Sequence, residues 1–361
     1  MRLFFKKIFN KSTLKLLFCC LIILFLICSP TYIFNKNNYT MNINKYLTTK
    51  NKKQAVLTIW HIESFEGGTK SRKSYLEEIG IKFNKINPNI YFSIMSLTEE
   101  QLFLNLQNNK ICDIFSFSVG SGCLLTSYLL GLQNNKSINN NLQNYAKVNN
   151  EILAYPYMLS SYVAISKNTD ESKPLVEKFS LTSNKNVYGF GFDVGGNINV
   201  AQCLLNNGIN NLNKMQFYSC NSSYDAYTNF INSKFTTLVG TMRDYYRCKN
   251  REELGKINSC AYFSLGNYTD LIQYIGINKN LDEGKISIAG AFLNYLLSYS
   301  SQSILKKYGL FPSTNITIYE EPFLKEVENK LNKNIKSVNV FSLVSEIEQS
   351  KKLSLEELLQ N

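Results

Sequence analysis

One histidine and one tryptophan are all that 361 residues hold of either type. The lone histidine, His61, rules out a histidine-rich metal site and leaves little material for a Ser-His-Asp relay. Phosphate-loop and HExxH patterns are missing, and Gly120-Ser121-Gly122 lacks the G-x-S-x-G spacing of a nucleophile elbow. With 18 glycines and 6 prolines the chain is neither collagen-like nor proline-rich. No fixed-period repeat stands out, which argues against a solenoid. Tight cysteine spacings are also missing: Cys112, Cys123, Cys203, Cys220, Cys248 and Cys260 form no C-x-x-C pair. No metal and no cofactor are expected.

Acid is absent from the first fifteen residues, where Arg2, Lys6, Lys7, Lys11 and Lys15 stand alone. Of the net +12, these account for five, and the remainder balances 34 cations against 27 anions. Those charges are dispersed, with no arginine cluster and no basic-aromatic stripe, so no nucleic-acid partner is expected. The run LLFCCLIILFLIC over 16–28 follows the basic start, the order of an export segment. A cleaved signal, a lipid anchor on Cys28 and an uncleaved membrane anchor all stay open. Ile27 before Cys28 is a poor match to a lipid-attachment motif. Each version places the rest of the chain on the extracellular face of the cell membrane.

Hydrophobic residues make up 44% of the chain, enough for a substantial core. AVLTIWHI (55–62) reads as a strand, and a helical stripe follows at Tyr75, Leu76, Ile79 and Phe83, closed by Pro88. A second strand covers 89–97, Thr98 caps a helix, and a third strand covers 112–118. Alternation of strand and helix predicts an α/β fold with a mostly parallel sheet. Further on, 155–168 reads as a strand pair or crossover. The glycine-rich stretch 186–208 reads as a loop before a helix, 222–234 as a capped helix, and 235–247 as a strand running into a loop. Gly309 and Pro312 mark the end of a late helix.

These segments resemble the extracellular solute-binding proteins of ABC importers, carbohydrate-type family. LTIWHIESFEGG (57–68), YLEEIGIKFNKINPNIYFSI (75–94), CDIFSFSVGSG (112–122), YPYMLSSYVAISKNTD (155–170) and KKYGLFPS (306–313) carry the likeness, in order, over residues 55–315. The resemblance implies a two-lobed, periplasmic-binding-protein-like fold with a hinge between the lobes. It implies a small solute as ligand, carbohydrate by preference, and a membrane permease with its ATPase as partners. The expected organisation is an export segment or anchor (1–30), a polar tether (31–53), a first lobe (54–154), a second lobe (155–258), a return segment (259–315) and a C-terminal helical region (316–361). A monomer is expected. The other reading is a membrane-anchored structural or sensory protein that keeps the fold without transport.

Nine residues are candidate ligand contacts. Trp60, at a strand end, offers a flat ring for a sugar face or a plug for the core. Glu63 and Glu66 sit in the next loop, where carboxylates accept sugar hydroxyls. Ser116 lies on the third strand, near the end where open α/β sheets bind ligands. Tyr155 and Tyr157 flank Pro156 at the expected crossover. Asp193 and Asn197 lie among glycines that permit close backbone approach. Arg243 and Asp244 read as a buried pair or a cleft pair, although the surface is the commoner fate of both. Glu63 and Glu66 could serve as a glycosidase pair if held about 5–9 Å apart, but the chain reads as a non-enzyme.

Overall fold

Strand β1 (Ala55–Ile62) is buried on both faces from Ile59 onward, as expected of an apolar, β-branched run with a neighbouring strand on each side. The structure is a computed structural model describing residues 54–63, 65, 68–167, 187–191, 200–206, 216–220 and 222–359. The expected export segment and tether, together with Glu66, Asp193 and Asn197, lie outside the described residues. The fold described is that of the unit Ala55–Asn361.

Helix α1 (Arg72–Ile86) buries Tyr75, Leu76, Ile79 and Phe83, the stripe predicted from their spacing. It returns the chain to β2 (Ile90–Leu97), which runs parallel to β1 at the sheet edge. Thr98 starts α2 (Glu99–Gln107) with a capping box: its hydroxyl accepts from the Gln101 amide, and the Gln101 side chain accepts from the Thr98 amide. Strand β3 (Ile114–Phe117) then pairs parallel with the other side of β1. Asp113, just before β3, ties this end of the sheet together. Its carboxylate accepts from the Thr58 amide at 2.7 Å, the Thr58 hydroxyl at 2.8 Å and Lys285 at 2.9 Å.

A short helix α3 (Asn140–Asn144) and a hairpin of β4 (Lys147–Val148) and β5 (Glu151–Ile152) lead into β6 (Tyr155–Leu159). Strand β6 belongs to the first sheet, so the chain leaves that sheet at Ser160–Ser161, not at the expected residue 155. The second sheet is built from β7 (Tyr162–Ser166), β8 (Val187–Gly191), β9 (Gln216–Cys220), β10 (Thr237–Thr241) and β11 (Ala261–Ser264), in the order β11-β7-β10-β8-β9. Helices α4 (Val200–Asn206), α5 (Ser223–Ile231) and α6 (Met242–Glu253) connect them.

Two elements differ from the sequence reading. Residues 187–191 form a strand because β10 and β9 flank them with parallel ladders that accommodate Gly189 and Gly191. Residues 242–253 form a helix because the Asp244 carboxylate accepts from the Thr241 amide at 3.0 Å and caps its start.

The chain returns through β12 (Ile272–Ile277), which completes the first sheet as β2-β1-β3-β12-β6. Helix α7 (Glu283–Leu296), the short α8 (Tyr299–Gln302) and a 3-10 turn follow, ended by Gly309 in the left-handed region (φ 67°). Helix α9 (Pro322–Asn334) packs on β11, and α10 (Val344–Leu359) packs on α4.

Connections between the two sheets run side by side. Leu159 and Phe311 exchange both backbone hydrogen bonds at 2.9 Å, and the Ser160 amide donates to the Leu271 carbonyl at 2.8 Å. The Thr269 hydroxyl donates to the Ser160 carbonyl at 2.8 Å, and the Tyr162 hydroxyl to Asp270 at 2.5 Å. These peptide groups and the Thr269 and Tyr162 hydroxyls are thus paired across the neck where the lobes join.

Candidate functional site

Strands β1 and β10 end on the same opening. β1 ends at Ile62 and α1 starts at Arg72, while α6 starts directly after β10, where the Met242 amide donates to the Ser161 carbonyl at 3.0 Å. Between them lies a cleft of about 740 Å³. From the first lobe, His61, Glu63, Phe65, Lys70 and Arg72 line it; from the second, Arg243, Tyr246, Arg247 and Asn250 do. A further concavity of about 590 Å³ is lined by Asn134, Lys147 and Glu151 among others, all from the first lobe.

Helical geometry aligns the second wall. Arg243, Tyr246, Arg247 and Asn250 are spaced three and four apart, so they share one face of α6. Arg247 is anchored by Asp244 at 3.4 Å and lies over the ring of Tyr227 at 5.2 Å. Asp244 is buried, and burial pushes its carboxyl up despite the opposing effect of the Thr241 amide and Arg247.

Close backbone packing fixes the first wall. Gly68 has φ 68°, and a Cβ there would collide with the Tyr308 carbonyl oxygen. The next amide, Thr69, donates to that same oxygen at 2.8 Å. Gly309 leaves room for the ring of Tyr246, which a Cβ would meet. The Arg72 guanidinium sits 4.0 Å from the centre of the Phe65 ring and is only 6% exposed.

A buried polar cluster forms the floor behind His61. Nδ1 of His61 lies 2.9 Å from Ser116 Oγ, Tyr157 OH lies 2.9 Å from the same oxygen, and Gln273 Nε2 donates to it at 3.0 Å. Gln273 Nε2 also donates to the Ile62 carbonyl at 3.3 Å. Burial, then the positive charges of Arg72 and Lys73, lower the His61 pKa to about 3. The imidazole is therefore neutral near pH 7.

Of the residues singled out in the sequence, Glu63 and Arg243 line the cleft. Trp60 does not: it is 8% exposed and meets Phe115 edge to face at 6.0 Å within the core. Ser116 and Tyr157 are fully buried beneath His61, and Tyr157 stacks on Tyr75 at 6.3 Å. Tyr155 is also buried, its hydroxyl donating to the Gln133 carbonyl at 2.5 Å. Asp244 is buried and pairs with Arg247 at 3.4 Å.

Lys70, Arg72, Tyr246 and Arg247 were not singled out. Lys70 and Arg72 lie shortly after Glu63 and Glu66, which were. The α6 face was hidden by reading 242–247 as a loop, although T-M-R-D at 241–244 has the spacing of a capping box.

Among the described residues, no group of three or more His, Cys, Asp or Glu side chains could hold a metal. No described helix is long and apolar enough to cross a membrane. No protein-family model and no curated protein sequence matches the chain. Solved structures do match. The GacH receptor of Streptomyces glaucescens, solved unliganded and with acarbose, superposes with a TM-score of 0.58 at 11% identity, over 85% of this chain and 94% of the receptor. The sugar-binding protein MalE of Xanthomonas citri gives 0.61 at 10% identity, over 84% and 91%. A cyclo/maltodextrin-binding protein solved with maltotetraose gives 0.60 at 12% identity, over 85% and 94%. The chain therefore has the two-lobed α/β fold of these sugar-binding proteins, with an opening lined from both lobes where they meet.

Proposed function

We propose that this protein captures a sugar-class solute between its lobes, outside the cell membrane, and passes it to a membrane permease driven by a separate ATPase. The observation that carries this reading is the cleft of about 740 Å³ with a wall from each lobe. It occurs in a fold shared with proteins solved holding acarbose or maltotetraose. Its volume suits a small ligand, for which sites span about 300–1,000 Å³.

The lobes in this reading are residues 54–159 with 272–311, and residues 162–264 with the C-terminal helices. Capture proceeds by closure about the neck formed by Ser160–Ser161, residues 265–271 and the stretch after Phe311. Glu63 and Arg243 meet the solute from opposite walls. The first thirty residues direct export or hold the protein at the membrane, and one copy suffices for binding.

Small-angle scattering and calorimetry on residues 50–361 test this reading together. A bound sugar is expected to lower the radius of gyration. At 100 times its dissociation constant it should add about 2.7 kcal/mol to stability. Binding without compaction would overturn closure and favour a sensory protein that keeps the fold. A cooperatively folded protein that binds no solute of any class would overturn capture itself.

A further inference from the structure

His61 has two ring nitrogens, and the fold occupies one of them. Nδ1 meets Ser116 Oγ at 2.9 Å. Nε2 has no hydrogen-bond partner among the described residues, although the ring is only 1% exposed and lines the cleft beside Glu63 and Phe65. Burial and the positive charges of Arg72 and Lys73 keep the ring neutral, so it carries one nitrogen proton. Whether Nε2 donates or accepts toward the cleft is decided on the other side of the ring.

Proton counting around Ser116 decides it. The hydroxyl oxygen has two lone pairs and one proton for its three neighbours, His61, Tyr157 and Gln273. Gln273 Nε2 lies 3.0 Å from Oγ and 3.3 Å from the Ile62 carbonyl oxygen. A carbonyl only accepts, so the amide nitrogen is the end that sits here, and it gives one proton to each oxygen. Tyr157 is fully buried, and Ser116 is the partner of its hydroxyl at 2.9 Å. The phenol therefore donates to Oγ; in the reverse sense its own proton would be stranded in the core. Both lone pairs of Ser116 are then taken. Its proton goes to Nδ1 of His61, which accepts, and the ring proton is left on Nε2.

We infer that His61 presents a fixed Nε2–H donor to the cleft, and that the captured solute sets against it an oxygen with a free lone pair: a hydroxyl, a ring ether or a carbonyl. An ammonium or alkyl group at that point would leave the donor unpaired on closure. The inference rests on the solute-capture reading and adds the direction of one contact. Ser116, Tyr157 and Gln273 are positioning residues that act through His61.

Because the chain has a single histidine, residues 50–361 labelled with 15N-histidine give one imidazole spectrum. Long-range proton–nitrogen correlation at pH 7 is expected to show a protonated Nε2 and a bare Nδ1. The reverse pattern would overturn the inference without any ligand. Tyr157→Phe returns a lone pair to Ser116, so the Nδ1–H form should appear in that variant's spectrum, a change that a loss of stability alone would not produce. Should that variant fail to fold, the parent spectrum still decides the tautomer. Titration with maltotriose, raffinose and chitotriose then follows both nitrogens. A sugar that binds is expected to shift Nε2 more than Nδ1 and to slow exchange of the Nε2 proton with water. A sugar that binds and leaves Nε2 unmoved would overturn the donor contact and leave capture intact. Binding by none of the three in a cooperatively folded protein would overturn the sugar contact together with sugar capture, leaving the tautomer as a property of the fold alone.

Discussion

His61 and Ser116 face each other across the seam between β1 and β3, and their side chains meet, Nδ1 to Oγ, at 2.9 Å. The serine hydroxyl is also the meeting point for Tyr157 and Gln273. One oxygen thus satisfies three buried groups under the cleft floor. Ser116→Ala would remove this buried contact from His61 and Tyr157, while Gln273 keeps its bond to the Ile62 carbonyl. A loss of about 2–3 kcal/mol is expected, at the upper end for a single unsatisfied buried contact. Urea unfolding would measure it, with the exposed Ser137→Ala as reference. Equal midpoints for the two variants would mean that the cluster contributes nothing to stability.

His61 titrates near 6.5 when exposed and is lowered to about 3 in the fold, first by burial and then by Arg72 and Lys73. Between these pH values only the unfolded chain takes up the proton. Stability should therefore be fully present above pH 6.5 and decline toward pH 3, by at most about 1.4 kcal/mol per pH unit from this group. His61→Gln should flatten that slope while keeping an amide near Ser116. Unfolding free energies at pH 4, 5, 6 and 7 decide it; parallel slopes for the two proteins would show that His61 accepts its proton inside the fold.

Trp60 packs against Phe115 and not against the cleft. Trp60→Ala is expected to cost about 3–5 kcal/mol, the usual result of emptying a large aromatic site. Trp60→Phe should recover most of it. A variant that keeps the parent melting temperature but loses solute binding would instead place the ring at the ligand.

Gly68 and Gly255 share a left-handed backbone, with φ of 68° and 64°, but differ in surroundings. Around Gly255 a Cβ meets nothing within 4 Å, whereas at Gly68 it strikes the Tyr308 carbonyl. Gly255→Ala should cost about 1 kcal/mol from the backbone alone. Gly68→Ala should cost more and break the Thr69–Tyr308 hydrogen bond. It should also weaken solute binding, because the segment it displaces carries Lys70 and leads into Arg72 at the start of α1. Thermal denaturation of both, with binding assays on each, separates clash from conformation.

Local signals were legible where chemistry is local. The β1 run, the α1 stripe, the Thr98 cap and the Gly309 stop each depend on residues within a few positions of one another, and each appears in the structure. The site was less legible because it is assembled from afar. Lys70 and Arg243 are 173 positions apart yet line one opening. Trp60 and Tyr157 carry the residue types of a sugar platform, but both faces of their strands are covered at these positions, which depends on packing partners distant in the sequence. Arg247 and Tyr246 emerged only once 242–253 was a helix, a consequence of one carboxylate, Asp244, reaching back to one amide.

Strand β12 lies between β3 and β6 in the first sheet, although it comes after every strand of the second. During synthesis from the amino terminus, the second sheet has all its strands by residue 264, while the first, begun at residue 55, waits for residue 277. Until then β6 has no neighbour within its sheet and β3 has an open edge. The lobe that starts first finishes last, so a nascent chain of some 260 residues holds an unclosed front half. That order of assembly delays closure of the first lobe without a separate factor to hold it open.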